Sequence, residues 1–123
     1  GRTYLMTEYY GSCHCKEVRF SFFADEILDE LYQCNCTLCL KKAIIMKPIS
    51  KDHFTLQSGH SNLHLYEWNK KIAKHFFCKI CGVYTHHVRR RDPSQISINI
   101  MCVDDILIAP ETKINLIDGA SHD

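Results

Sequence analysis

Seven of the eight cysteines in this 123-residue chain fall into three tight groups, and the grouping restricts what the chain can fold around. They read Cys13-His14-Cys15, Cys34-Asn35-Cys36-Thr37-Leu38-Cys39 and Cys78-Lys79-Ile80-Cys81, with Cys102 alone. In a secreted protein so many cysteines would suggest a disulfide framework. The N-terminus has no apolar signal-peptide core, and reduced thiols at clustered spacing point to metal instead.

No run approaches the roughly 18 apolar residues of a membrane span. The chain is therefore expected to be cytoplasmic, with no membrane partner. Fifteen basic and fourteen acidic side chains nearly cancel, so no nucleic-acid partner is expected from bulk charge. With 46% hydrophobic residues the chain is long enough for one domain with a real core and too short for two. Residues 1–5 resemble a tag or vector remnant ahead of Met6, which leaves 6–123 as the single expected domain.

The periodicity is mainly that of β-strands. In EVRFSFF, Val18, Phe20 and Phe22 alternate with Arg19 and Ser21. HFTLQSG and NLHLYEW repeat the signal, with Gly59 and Asn62 predicting a hairpin-like turn between them. QISINIMCV places Ile96, Ile98, Ile100 and Cys102 on one face of a further strand. Ile27, Leu28 and Leu31 fit one side of a short helix over 25–31, and DGASHD reads as a frayed end.

Zinc takes four ligands in a tetrahedron, and two cysteines separated by one or two residues can both turn onto one ion. Cys78-x-x-Cys81-Gly82 has the form of a zinc knuckle, in which glycine allows a tight turn beneath the metal. Cys13 and Cys15 point the same way at the start of a strand and can complete a closed four-cysteine site. Cys34, Cys36 and Cys39 then remain as three ligands with an open position, the requirement for a catalytic zinc. The spacing equally permits Cys34 and Cys39 to join Cys78 and Cys81 as one ribbon, leaving Cys13 and Cys15 free.

GSCHCKEVRF, CNCTLCLKK, HFFCKICGVYTHH and ISINIMCVDD follow one another in the order and spacing of a known family. The chain resembles the glutathione-dependent formaldehyde-activating enzymes, a family that also contains centromere protein V. The resemblance spans about Gly11 to Asp105 and implies a mainly β fold of small antiparallel sheets organised around zinc, β-tent-like, with little helix. It implies two zinc ions per chain, a structural one on Cys13, Cys15, Cys78 and Cys81 and a catalytic one on Cys34, Cys36 and Cys39. It also implies a carbon–sulfur lyase acting on an adduct of a small thiol such as glutathione with formaldehyde or another small aldehyde. The alternative it implies is a non-catalytic, zinc-stabilised interaction domain like centromere protein V. Near-neutral charge and the lack of a basic extension favour the enzyme.

Three thiolates outnumber the two charges of zinc, so such a centre activates water poorly and suits a substrate thiol. The addition to an aldehyde further needs a proton donor for the developing alkoxide. His64, His75, His86 and His87 surround the motifs, but spacing nominates none of them as catalytic. Cys102 is expected to pack as a small apolar group. Arg89-Arg90-Arg91-Asp92 reads as a solvated turn able to meet the carboxylates of a glutathione-like thiol. Lys41 and Lys42 offset the charge of the cysteines they follow.

Overall fold

A computed structural model describes residues 6–68 and 70–120. The expected remnant at 1–5 lies outside the described residues. The architecture is mainly β, and the longest helix among the described residues has six residues. The strands are β1 (Thr7–Ser12), β2 (Arg19–Ala24), β3 (Tyr32–Cys34), β4 (Met46–Ser50), β5 (Phe54–Ser58), β6 (Leu63–Tyr66), β7 (Lys74–Cys78), β8 (Tyr84–Val88), β9 (Gln95–Asn99) and β10 (Asn115–Ile117), with α1 (Thr37–Lys42) between β3 and β4.

Two sheets form. One is β1-β2-β5; the other runs β10-β3-β4-β9-β8-β7-β6, with every pair antiparallel except β10–β3. The alternation in RFSFFA buries Phe20 and Phe22, which pack with Ile96 and Ile98 of β9 together with Leu31, Ile49 and Ile100. Burying each such side chain contributes roughly 1.5–3 kcal/mol, so this cluster holds the two sheets face to face. The reverse face of the larger sheet is also covered, as Ser97 between Ile96 and Ile98 is itself buried. A tyrosine reaches it, since the Tyr32 hydroxyl and the Ser97 hydroxyl are hydrogen-bonded.

Three local expectations change. Residues 25–31 form turns rather than a helix, because Lys47 is buried beneath them and its Nζ donates to the carbonyls of Glu26 at 2.8 Å and Asp29 at 2.7 Å. The Glu26 carbonyl also accepts from the Asp29 N–H at 3.1 Å, a three-residue turn that does not extend into a helical ladder. Phe54–Ser58 and Leu63–Tyr66 are strands as expected but not a hairpin, for β5 pairs with β2 and β6 with β7. Gly59, at φ +85°, turns the corner between the sheets, and a Cβ there would press on the Glu17 carbonyl and on Val18 Cα at 2.7 Å. The predicted strand through Cys102 stops at Asn99, whose side chain accepts from the Met101 N–H and starts a short 3₁₀ turn over Ile100–Cys102.

Candidate metal and thiol site

Cys13, Cys15, Cys78 and Cys81 bring their four sulfurs within 4.8 Å of one another. Cys13 Sγ lies 3.6 Å from Cys15 Sγ, and Cys15 Sγ lies 3.7 Å from Cys78 Sγ. A zinc tetrahedron with bonds of about 2.3 Å has edges of about 3.8 Å, whereas a disulfide would need about 2.05 Å. The donor set and its spacing therefore fit a tetrahedral thiolate-bound metal. The two halves are built alike. Cys13 N–H donates to the Val18 carbonyl and Cys78 N–H to the Val83 carbonyl, each at 3.0 Å and each five residues on. Each turn passes through a left-handed residue, Lys16 at φ 66° and Gly82 at φ 79°. The Val18 N–H donates to Cys13 Sγ and the Ile80 N–H to Cys78 Sγ, both at 3.4 Å. The cluster ties the β1–β2 turn to the β7–β8 turn. The ribbon pairing of Cys34 and Cys39 with Cys78 and Cys81, equally open by spacing, does not form.

Cys34, Cys36 and Cys39 form the second group, their sulfurs likewise within 4.8 Å. Cys34 ends β3, Cys36 is the N-cap of α1, and Cys39 lies one turn along. Cys36 Sγ accepts from the Cys39 N–H at 3.3 Å, and α1 ends where Ala43 turns left-handed and its N–H closes on the Cys39 carbonyl. A hydrogen bond from Cys39 holds the Cys34 thiol down to about 5, while that same bond pushes Cys39 upward and burial pushes Cys36 upward. Like charges so close together disfavour ionisation of all three sulfurs without a cation. This donor set also fits a metal.

The C-terminal segment seats against this group. Residues 118–120 do not fray as expected: the Ala120 N–H donates to Asn35 Oδ1 at 2.8 Å and β10 pairs in parallel with β3, so this stretch is tied down. The rest of the expected frayed end, 121–123, lies outside the described residues.

The two clusters differ in surroundings. The four-cysteine group packs against Val18, Leu56, Leu63 and Val83, with Cys13 and Cys78 buried and Cys15 and Cys81 half-buried. The three-cysteine group opens into a cleft of about 100 Å³. Trp68, Ile72 and Ile117 give that cleft apolar walls; Lys70, Lys71, Arg89, Arg90 and Arg91 give it a basic border. The arginine run is thus a turn between β8 and β9 that also faces the site. Arg89 is fixed over the Tyr32 ring at 4.8 Å and donates to Gln95 Oε1 at 2.6 Å.

His75 and His87 stand in the same cleft wall, two residues that spacing alone did not single out. They are cross-strand neighbours on β7 and β8, with ring centroids 5.1 Å apart. A register shift between Phe76 and Phe77 skips Thr85, so Tyr84 and His87 face the same side although three residues apart. The Tyr84 hydroxyl sits 2.8 Å from His75 Nδ1. Burial lowers His75 to about 4 and His87 well below the ordinary imidazole range, so both rings are neutral at pH 7. The legible signal would have been HH on a strand opposite H, two imidazoles brought to one face by antiparallel pairing.

The other expected residues lie elsewhere. His86 faces the aromatic core against Phe54 and Phe76, and His64 is exposed on β6. Cys102 packs against the core as expected, and burial pushes its thiol up to about 12. Lys42 projects toward the cleft side with Nζ 4.2 Å from the Tyr84 ring centroid, whereas Lys41 is exposed.

A family model described as glutathione-dependent formaldehyde-activating enzyme matches residues 8–116, a span that includes every cysteine. A crystal structure of a Rhodobacter sphaeroides protein superposes with a TM-score of 0.82 at 27% identity, covering 87% of this chain and 98% of that one.

Proposed function

The chain belongs to the family of glutathione-dependent formaldehyde-activating enzymes, and from that premise we propose that it is a zinc-dependent carbon–sulfur lyase. It forms or cleaves the adduct of a glutathione-like thiol with formaldehyde or another small aldehyde. Cys13, Cys15, Cys78 and Cys81 would hold a structural zinc, and Cys34, Cys36 and Cys39 a catalytic one with a position left for substrate. The observation that carries the reading is the open cleft over the three-cysteine group. Three thiols lining a pocket with a basic border suit a thiol substrate better than a purely structural role. No helix among the described residues is long and apolar enough to cross a membrane.

Bound at the three cysteines, zinc supplies the positive charge that keeps a substrate thiol ionised at neutral pH. The chain's own residues do the rest. Lys70, Lys71 and Arg91 at the cleft border attract the carboxylates of the thiol substrate and orient its sulfur inward. Trp68, Ile72 and Ile117 limit water around the reacting atoms. The thiolate sulfur adds to the carbonyl carbon, the π pair moves onto oxygen, and the alkoxide takes a proton from water in place of the one the thiol gave up. Cleavage reverses each of these movements.

The test is exchange spectroscopy with ¹³C-formaldehyde and glutathione, which reads the rate between free aldehyde and the hydroxymethyl adduct. Zinc-loaded protein should accelerate that exchange, and metal-stripped protein should not. A fully loaded protein that leaves the rate at background with glutathione and with other small thiols would overturn the reading.

A further inference from the structure

His87 Nδ1 is the one side-chain nitrogen or oxygen found buried without a hydrogen-bond partner among the described residues, and its ring belongs to the cleft wall. Buried polar atoms are nearly always paired, and the exceptions concentrate where function demands them. A neutral imidazole carries its proton on one nitrogen. A sealed N–H without an acceptor is less tolerable than a sealed lone pair, so the hydrogen of His87 belongs on Nε2, the nitrogen not sealed in this way. Burial, with the neighbouring His75, Arg89, His86 and Lys42, keeps the ring from charging, and it is therefore a donor that stays neutral.

In its neighbour His75 the corresponding Nδ1 has a partner. Tyr84 is buried and its hydroxyl stays protonated. Assigning that hydrogen to His75 Nδ1, 2.8 Å away, fixes the His75 ring beside that of His87.

We propose that His87 is a catalytic residue, whose Nε2–H binds the aldehyde oxygen and stabilises the negative charge on that oxygen as the carbon–sulfur bond forms or breaks. His75, oriented by Tyr84, is a positioning residue that packs the His87 ring. This assignment rests on the adduct reading above and deepens it. As sulfur adds to carbon, the π pair moves to the oxygen facing Nε2–H; His87 keeps its proton, and water supplies the one that converts the alkoxide to the hydroxymethyl group. A neutral donor suits both directions, because it neither needs reprotonation after addition nor must lose a proton before cleavage.

Two measurements test this independently. Long-range ¹H–¹⁵N spectra of the imidazoles in zinc-loaded protein should show His87 as the Nε2–H tautomer, with Nε2 shifting on addition of S-hydroxymethylglutathione and much less with S-methylglutathione. The Nδ1–H tautomer, or equal shifts with the two ligands, overturns the assignment whether or not the protein turns over. Exchange kinetics form the second measurement. His87→Phe should lose about 10²-fold or more in kcat, the usual consequence of removing one donor to a developing oxyanion, with KM for the thiol within about two-fold. His87→Gln, whose amide N–H can take the place of Nε2–H, should recover much of that loss, whereas His87→Asn should not. Melting temperature and zinc content of each variant report whether the fold is retained, and a folded, zinc-loaded His87→Phe with unchanged kcat overturns the proposal. A wild type without exchange removes the adduct reading itself, a result separate from the tautomer and ligand shifts.

Discussion

Gly119 lies so close to Cys34 that a Cβ on the glycine would overlap the cysteine Sγ, and it would stand only 3.1 Å from Cys36 Cβ. The C-terminal segment is therefore part of the wall of the three-cysteine group, although the family match ends at 116. Gly119→Ala must push either that segment or Cys34 away. With zinc assigned as proposed, the variant should keep its fold and the zinc at the four-cysteine group but drop from about two zinc ions per chain toward one. Metal analysis beside a melting curve checks this, and a variant that retains both ions would show that the segment yields freely.

The two groups should also part company under a chelator. Four protein sulfurs hold a metal more firmly than three that leave a position open to a cleft. Titration with a chelator should remove one zinc early with little change in circular dichroism and the second only with loss of structure. Simultaneous loss of both would contradict the division.

Cysteine replacements sharpen the same contrast. The four-cysteine group ties the β1–β2 turn to the β7–β8 turn across 63 residues of sequence between Cys15 and Cys78. Cys78→Ser should lower Tm by at least about 10 °C or leave the protein insoluble, because metal-binding energy there is also folding energy. Cys36→Ser should melt within a few degrees of wild type while exchange falls to background. Equal destabilisation by both replacements would mean that the three-cysteine group is structural too.

The sequence made the local pieces legible and left their assembly open. Cys78-x-x-Cys81-Gly82 announces its own tight turn, and Phe20 and Phe22 announce a buried face, because each depends on residues a few positions apart. The hairpin expected around Gly59 failed for a non-local reason, since the partner of β5 is β2 and the partner of β6 is β7. The helix expected over 25–31 failed because Lys47 takes the Glu26 and Asp29 carbonyls. The cleft was the least legible part. Its histidines meet only through the β7–β8 register, and Tyr84 joins them only because the strand skips Thr85, a shift that leaves no mark in composition or spacing.

The basic border of the cleft should govern which thiol is accepted. Replacing Lys71 and Arg91 together by glutamine should raise KM for glutathione about five- to ten-fold with kcat nearly unchanged. The effect should shrink at high salt and vanish for 2-mercaptoethanol, which has no carboxylate. An equal rise for the uncharged thiol would show that the border shapes the cleft rather than reading charge.

Acid should weaken the fold through the imidazole on the opposite face of the sheet. His86 is buried against Phe54 and Phe76, and burial lowers it to about 4 from an ordinary 6.5. Because the folded value is the lower one, the unfolded chain binds a proton first as pH falls. Stability present above pH 6.5 is therefore lost progressively between about 6.5 and 4, on the order of 3 kcal/mol for a ring so enclosed. Urea midpoints at a series of pH values should show this slope, and His86→Phe should flatten it by about one proton in that window. The replacement also leaves the Thr85 hydroxyl without its 2.8 Å partner, so the variant should start less stable at pH 7 yet lose less on acidification. A slope identical to wild type would mean that His86 charges without opposing the fold, and that acid lability comes from the buried His75 and His87 or from the thiols losing their metal instead.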